Sequence, residues 1–422
     1  MTSPGASGMK ANYSAPSALV LGAGFQGVCA ALALHSRGYR VDLIDQAERC
    51  LSRASGRNEA KIHLGLVYAN DDSFRTSELM LEASLAFAPL LESWLGRSLD
   101  WHGMRSTPFT YAVMPDSLLS FDEVCDFYGR VQTAYKERLD GGTYLGQRPE
   151  LLWRPIAATH SPEWLDTAEV AGVIETAEVA LDLEKMRREL EAGLEAAPGI
   201  VLRYGWRVEA AERVSSGFRV AGSSSDGEPW ERNADIVVNC LWEGRLQLDE
   251  SMGIAPDRPW VYRLKYRVLG QLPRRLANLP SLTFVLGPYG DIATYPDGGP
   301  TYLSWYPACL QGWSDELAPP PAWGPACEGR EGPVKAEAIA RETLAALDRV
   351  VPGVAETVVQ HVDAGVIFSW GQSHVDVDNP RSELHERYAI GVASYDGYFS
   401  IDTGKFTCAP LFASHLLDAL DG

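Results

Sequence analysis

A glycine-rich turn between an apolar run and a helix-forming stretch constrains this chain more than any other feature. Residues Ser17 to Leu21 (SALVL) stop at Gly22-Ala-Gly24-Phe-Gln-Gly27, after which Val28 to Ser36 is rich in Ala and Leu. Gly38 ends that stretch, and Tyr39 to Asp45 (YRVDLID) alternates like a strand. Strand, glycine turn, helix and strand within about thirty residues is the fingerprint of a dinucleotide-binding βαβ unit. Gly22 permits the tight turn, Gly24 lets the backbone approach a pyrophosphate, and Gly27 lets helix and strand pack closely. The helix N-terminus then offers free N–H groups and its positive dipole end to the phosphates. Asp45 follows Gly24 by 21 residues, the spacing of a carboxylate that binds ribose hydroxyls. An acid there disfavours a 2′-phosphate, hence NADP.

The bulk numbers limit the rest. At 422 residues the chain exceeds one compact core and predicts two domains. A formal net charge of -19 repels nucleic acid and anionic membranes. The longest apolar stretch, 18–34, is broken by Gly22, Gly24, Gln26 and Gly27, so no membrane span is expected. Seven dispersed cysteines without a CxxC pair point to reduced thiols in a cytoplasmic protein and away from a metal site. The first sixteen residues read as a flexible N-terminal tail (1–16), not a signal peptide.

Periodicity predicts helices over 77–95, 121–139, 181–197, 334–350 and 409–420. Strands are expected at 201–203, 207–211, 235–240 and 388–393, with a β-rich aromatic block over 260–305. The Pro/Gly-rich stretch 311–332 reads as a surface loop. This alternation predicts an α/β nucleotide-binding domain assembled from separated pieces, with a β-sheet domain inserted between them.

Four stretches carry a resemblance to a family: ALVLGAGFQGVCAALALHSRGYRVDLIDQ, SRASGRNEAKIHLG, ETAEVALDLEKMRREL through ADIVVNC, and YAIGVASYDGYFSIDTGKFTCAPLFASHLLDAL. They resemble the D-amino-acid oxidase (DAO) family of flavoproteins, especially its glycine and sarcosine oxidase branch. The resemblance implies a Rossmann-like FAD-binding domain of the glutathione-reductase type. It would consist of 17–76 with 160–240 and 350–422. The inserted α+β substrate domain, on a mostly antiparallel sheet, would be 77–159 with 241–349. The cofactor residues it implies are Gly22, Gly24, Phe25, Gln26, Gly27, Asp45, Gln46, Arg53, Ser55, Asn58, Val208, Gly404, Lys405, Phe406 and Thr407. This chain departs from the family at Cys240-Leu241-Trp242, where a small Ala-Ala-Gly is usual. It departs again at Glu59, where a glycine usually follows the asparagine, and at Thr403-Gly404-Lys405-Phe406, where relatives often carry Gly-His-Gly ahead of a similar Lys-Phe.

Amine oxidation by a flavin needs little acid–base machinery, because the cofactor carries the hard chemistry and the protein supplies position and charge. The resemblance implies that Lys405 and Lys61 are the catalytic cations, with His63 two residues beyond Lys61 on the same face of an extended strand. The aromatics Tyr262, Phe284, Tyr295, Trp305, Tyr306 and Trp370 are candidate walls of a substrate pocket. Arg263 and Lys265 are expected on a solvated sheet face. No arginine clamp for a carboxylate stands out, which favours a larger amine over a simple amino acid. The stretch TYLSWY lacks the lysine that oxygen-reactive relatives often place above the ring, so the electron acceptor is oxygen or another, unnamed one. With one dinucleotide fingerprint, electrons are expected from an organic amine-type substrate by hydride transfer to the flavin. The alternatives are a flavin-dependent monooxygenase or tailoring oxidoreductase, and a non-catalytic dinucleotide-binding protein.

Overall fold

The computed structural model describes residues 15–138, 142–157, 162–371 and 386–421. Residues 1–14 of the expected tail lie outside them. Pro16 is tied to the fold, its carbonyl accepting the Arg40 N–H at 2.9 Å.

A six-stranded sheet runs through β19 (Gly391–Tyr395), β20 (Tyr398–Asp402), β12 (Ile236–Asn239), β1 (Ser17–Leu21), β2 (Arg40–Asp45) and β8 (Ile200–Tyr204). All its pairs are parallel except β19 with β20. Both faces of β1 are covered, and the strand alternates between two cores. Ala18 and Val20 face the core beneath helix α1 (Phe25–Ser36), helix α2 (Arg75–Leu95) and the closing helix Ala409–Asp421. Leu19 and Leu21 face Phe218, Val220 and Trp230 of a three-stranded antiparallel sheet. That sheet is β9 (Trp206–Val214), β10 (Gly217–Ser224) and β11 (Pro229–Ala234). Helix Leu183–Glu195 starts where Asp182 accepts the Glu184 and Lys185 N–H groups, an N-cap.

The second sheet has nine strands. Eight run in the order β17 (Leu310–Ser314), β13 (Trp260–Gln271), β16 (Thr301–Trp305), β15 (Gly290–Ala293), β14 (Ser281–Val285), β4 (Phe109–Val113), β6 (Gly172–Thr176) and β5 (Trp153–Ile156). The ninth, β18 (Val358–Trp370), pairs antiparallel with β13 from end to end. Only β4 with β14 is parallel. Helix Pro333–Val350 closes this core through Ile339, Leu344 and Leu347. A two-residue ladder joins β3 (Lys61–Ile62) to β7 (Val179–Ala180).

Several boundaries differ from expectation. The pairing puts 172–176 and 358–370 in the nine-stranded sheet, although the sequence division gives 160–240 and 350–422 to the cofactor unit. The Pro/Gly-rich stretch is not simply a loop. It opens as an edge strand on β13 and buries Ala326 and Cys327 in the second core. Gly312 makes room there, since a Cβ on it would lie 2.7 Å from the Trp323 ring. The last strands are Gly391–Tyr395 and Tyr398–Asp402, later than the expected 388–393. No helix among the described residues is long and apolar enough to cross a membrane.

Candidate active site

The glycine turn is built by exclusion of side-chain atoms. Gly22 has φ +95°, and a Cβ on it would meet the Cys240 carbonyl oxygen at 2.7 Å. A Cβ on Gly27 would lie 1.7 Å from the Gly22 carbonyl oxygen, so helix and turn touch only because residue 27 has no side chain. Asp45 fixes the same turn from β2. Its Oδ2 accepts the Ala23 N–H at 2.6 Å, and its Oδ1 accepts the Ala47 N–H at 2.7 Å. Ser55 Oγ accepts the Phe25 N–H at 2.9 Å, folding the 54–58 segment over the start of α1. Asn58 locks that segment, donating to the Ala54 carbonyl at 2.7 Å and accepting from the Ala60 N–H at 2.6 Å. The N-cap residue of α1, Gly24, has no side chain of its own to cap the helix, and the first turn holds no acid.

Beyond the turn lies a cavity of about 600 Å³. Its walls are the 54–70 segment, the closing turn 403–406 and the β13–β16 face of the second sheet. Phe25 and Phe406 stack at 4.1 Å with an 11° interplanar angle. Thr403 Oγ1 donates to Gln26 Oε1 at 3.2 Å, and Gln26 Nε2 donates to the Ala409 carbonyl at 3.2 Å. These contacts join the start of α1 to the closing turn, where Gly404 has φ +59°. Trp242 also lines the cavity, its indole N–H donating to the Val366 carbonyl at 2.8 Å.

The cavity is strongly charged. Lys61 donates to Asp291 Oδ1 at 2.8 Å and to Thr283 Oγ1 at 2.5 Å, over the Phe109 ring. Arg57 pairs with Asp363 at 3.2 Å. Arg263 and Arg387 differ from both. Their guanidiniums share Ser369 Oγ at 2.7 and 2.6 Å, and neither has a carboxylate within ion-pair distance among the described residues. Burial, with Arg387 alongside, pushes Arg263 down to about 10. Lys265 sits 4.1 Å from the Tyr306 ring. Burial works against its charge, but Tyr302, Tyr306, Glu59 and Asp291 outweigh it. Burial lowers Lys405. Burial would raise the Glu59 carboxyl, but Lys265, Lys405 and Lys61 hold it at about 2, so it is a fixed anion among cations.

Of the residues singled out from sequence, Gly24, Phe25, Gln26, Ser55, Asn58, Lys61, His63, Gly404, Lys405 and Phe406 line this cavity, as do Phe284 and Tyr306. Gly22, Gly27 and Asp45 shape the turn behind it. Gln46 is exposed. Arg53 is committed to Glu243 at 2.7 Å and to Glu328 at 3.4 Å. Val208 packs with Trp206 against the core behind β1. Thr407 is buried and accepts the His63 N–H at 3.0 Å.

Four aromatic candidates lie off the wall. Tyr262 is wholly buried against Phe368. Tyr295 donates to the Leu181 carbonyl at 3.2 Å. Trp305 packs on Phe284 and Tyr289, and Trp370 donates to Asp402 at 2.7 Å. The cause on β13 is the two-residue repeat. Tyr262, Leu264 and Tyr266 turn into the core, and Arg263 and Lys265 turn into the cavity instead of facing solvent. Alternation marks two faces without saying which one meets water. Lys265, Glu59 and Arg387 therefore escape a sequence search, although the charge at Glu59 in place of the usual glycine is a signal.

The residues fit a flavin dinucleotide. The first turn of α1 holds no acid, its N-cap Gly24 brings no side chain and a Cβ there would lie 3.1 Å from Ser55 Oγ, and the cavity has the size of a cofactor site. No group of acidic, histidine or cysteine side chains that could hold a metal ion occurs among the described residues.

Comparison with known proteins agrees. A curated relative, the FAD-dependent monooxygenase FPY4 of Fusarium mangiferae, is 25% identical over 279 residues, 66% of this chain and 60% of that protein. The match therefore spans less than two thirds of that relative. Among solved structures, glycine oxidase from Geobacillus kaustophilus superposes with TM-score 0.64 at 14% identity, covering 96% of this chain and 94% of that one. Iminodiacetate oxidase from Chelativorans sp. BNC1 gives 0.65 at 15% identity, covering 96% and 95%. L-α-glycerophosphate oxidase from Mycoplasma pneumoniae, solved with FAD bound, gives 0.63 at 13% identity, covering 97% and 95%. At these identities the likeness is one of fold. The family model described as DAO, FAD-dependent oxidoreductase, matches residues 17–388. With a glycine turn at the head of α1 and a charged cavity against the second sheet, this match makes the chain a member of the DAO family of FAD-dependent oxidoreductases.

Proposed function

We propose that this oxidoreductase oxidises the C–N bond of a small anionic amine, an amino acid or N-substituted amino acid, by hydride transfer to FAD. The observation that carries this reading is the Arg263–Arg387 pair, two guanidiniums on one serine oxygen in the cavity that also holds Lys405 and His63. Two adjacent buried cations repel each other until an anion comes between them, and a carboxylate matches the guanidinium fork. The sequence alone favours a larger amine; this pair shifts the reading toward a carboxylate-bearing one. The names of the glycine oxidase and iminodiacetate oxidase neighbours accord with it.

In this reading the α1 N-terminus with Gly22, Gly24, Phe25, Gln26 and Gly27 holds the pyrophosphate, and Asp45 and Gln46 lie toward the ribose. Arg53, Ser55, Asn58 and Val208 frame the nucleotide, and Gly404, Lys405, Phe406 and Thr407 frame the ring end. The bound flavin supplies the hydride-accepting chemistry. Lys405 and Lys61 contribute positive charge that favours negative charge growing in the cavity, and Lys265 adds to it. Tyr302 and Tyr306 shield the site from water. Seven free cysteines support residence in a reducing cytoplasm.

Anaerobic addition of an amino acid and of its decarboxylated amine to the yellow protein tests this. Bleaching by the acid and not by the amine is expected. Bleaching by both alike would overturn the anionic-substrate reading. The relationship to a curated monooxygenase favours a second reading, in which NAD(P)H reduces the flavin. Rapid bleaching by NADPH would select it, although the chain has one dinucleotide fingerprint and not two.

A further inference from the structure

Behind the cavity, His63 and Glu178 form a sealed pair that flavin binding does not require. The antiparallel ladder sets Ile62 opposite Val179, which brings the next residues, His63 and Glu178, face to face. His63 Nδ1 is buried, has no hydrogen-bond partner among the described residues, and lies 3.9 Å from Glu178 Oε2. His63 also lines the cavity, and with Nδ1 buried its other ring nitrogen, Nε2, is the one a ligand would meet in this proposal. Glu178 is completely buried. Its Oε1 accepts the Leu64 N–H at 2.6 Å, and its Oε2 accepts the Tyr111 hydroxyl. A buried carboxylate costs several kcal/mol of desolvation unless donors surround it, so one facing a bare imidazole nitrogen asks for an explanation.

We propose that His63 removes the proton from the substrate nitrogen through Nε2, and that Glu178 is the positioning residue that holds Nδ1–H inward and steadies the imidazolium. The inference rests on the amine reading above. An amino acid arrives as an ammonium, which has no lone pair to drive hydride departure. Transfer of one N–H proton to Nε2 frees that pair. With that pair free, the C–H hydrogen would leave as hydride while the nitrogen pair forms the C=N bond of an iminium, and a bound FAD would supply the two-electron acceptor. The proton later leaves His63 for solvent. The 3.9 Å gap is of the kind that closes when substrate arrives.

The resting ring is uncharged, at a cost to its basicity that the Glu178 carboxylate 3.9 Å away must offset when the proton arrives. Burial, then Lys405 and Lys61, keeps the ring neutral, with Asp291 opposing them. Tyr68 packs edge-on at 5.5 Å, and the Thr407 hydroxyl holds the His63 main chain. Burial raises Glu178, against Lys61, Tyr111 and the Leu64 N–H.

Two measurements on the holoenzyme test this. The first follows the pH dependence of anaerobic bleaching in wild type, His63→Asn and Glu178→Gln, beside the Kd of acetate as a non-oxidisable carboxylate. His63→Asn should lose about 100-fold or more in bleaching rate, recover as pH approaches the amine's own pKa, and leave acetate binding unchanged. Glu178→Gln should lose less and displace the acid limb of the profile. Unchanged rates and profiles in both variants would overturn the proposal. The second, independent of substrate, is ¹⁵N NMR of the His63 ring. The Nδ1–H tautomer is expected in wild type, giving way in Glu178→Gln; an Nε2–H tautomer in wild type would overturn the dyad. If no amine bleaches the wild type while the Nδ1–H tautomer is present, the amine reading fails and the dyad stands.

Discussion

The glycine cradle and the cationic wall meet at the same cavity but work by opposite means. At Gly22 and Gly27 the fold depends on atoms that are absent, since a single added carbon would overlap backbone oxygen. At Arg263, Lys265, Arg387 and Lys405 it depends on charges that are present and mutually repulsive, tempered by Glu59. The cradle tolerates no volume and the wall tolerates no loss of charge balance. Damage to the first should therefore remove the cofactor, and damage to the second should spare the cofactor and alter what binds beside it.

The most severe break is Gly27→Val. Its Cβ falls 1.7 Å from the Gly22 carbonyl oxygen, so α1 must move off the turn. We expect a loss of about 3 kcal/mol or more in stability and a protein that purifies without flavin, read by denaturant unfolding and visible absorbance. Arg387→Met should leave flavin content intact and weaken acetate binding about 10- to 100-fold, the worth of a charge-assisted hydrogen bond, read by spectral titration.

Glu59→Gln sharpens the contrast through pH. Its folded carboxyl is held at about 2 against an ordinary 4.5, so the stabilisation it gives is complete above 4.5 and lost as pH falls toward 2. The variant should be less stable at neutral pH by about 1–2 kcal/mol, a buried-pair value discounted because Glu59 faces the cavity. That gap should narrow steadily in thermal unfolding measured from pH 5 down to pH 3. Removing this anion should also tighten acetate binding. The smallest effect expected is from Thr403→Val, which deletes one neutral hydrogen bond to Gln26 and should cost about 1 kcal/mol with acetate affinity unchanged.

The same contrast explains what could be read from sequence. Gly22, Gly24, Gly27 and Asp45 are close along the chain, and their roles follow from local backbone geometry, so spacing alone exposes them. The helices 75–95 and 333–350 are equally local. The wall gathers β13, the segment before β19 and the closing turn, and depends on which face of β13 turns inward. A strand flanked by β16, β17 and β18 carries its charged residues on the inner face, which composition cannot announce. The misassigned aromatics have that origin. The transfer of β18 to the second sheet likewise rests on a long-range pairing with no local mark.

The most direct test of the central claim is a crystal structure of the FAD-bound protein with acetate. The flavin pyrophosphate is expected at the head of α1 and the carboxylate between Arg263 and Arg387. Acetate bound elsewhere, with the two guanidiniums turned to another protein group, would contradict it.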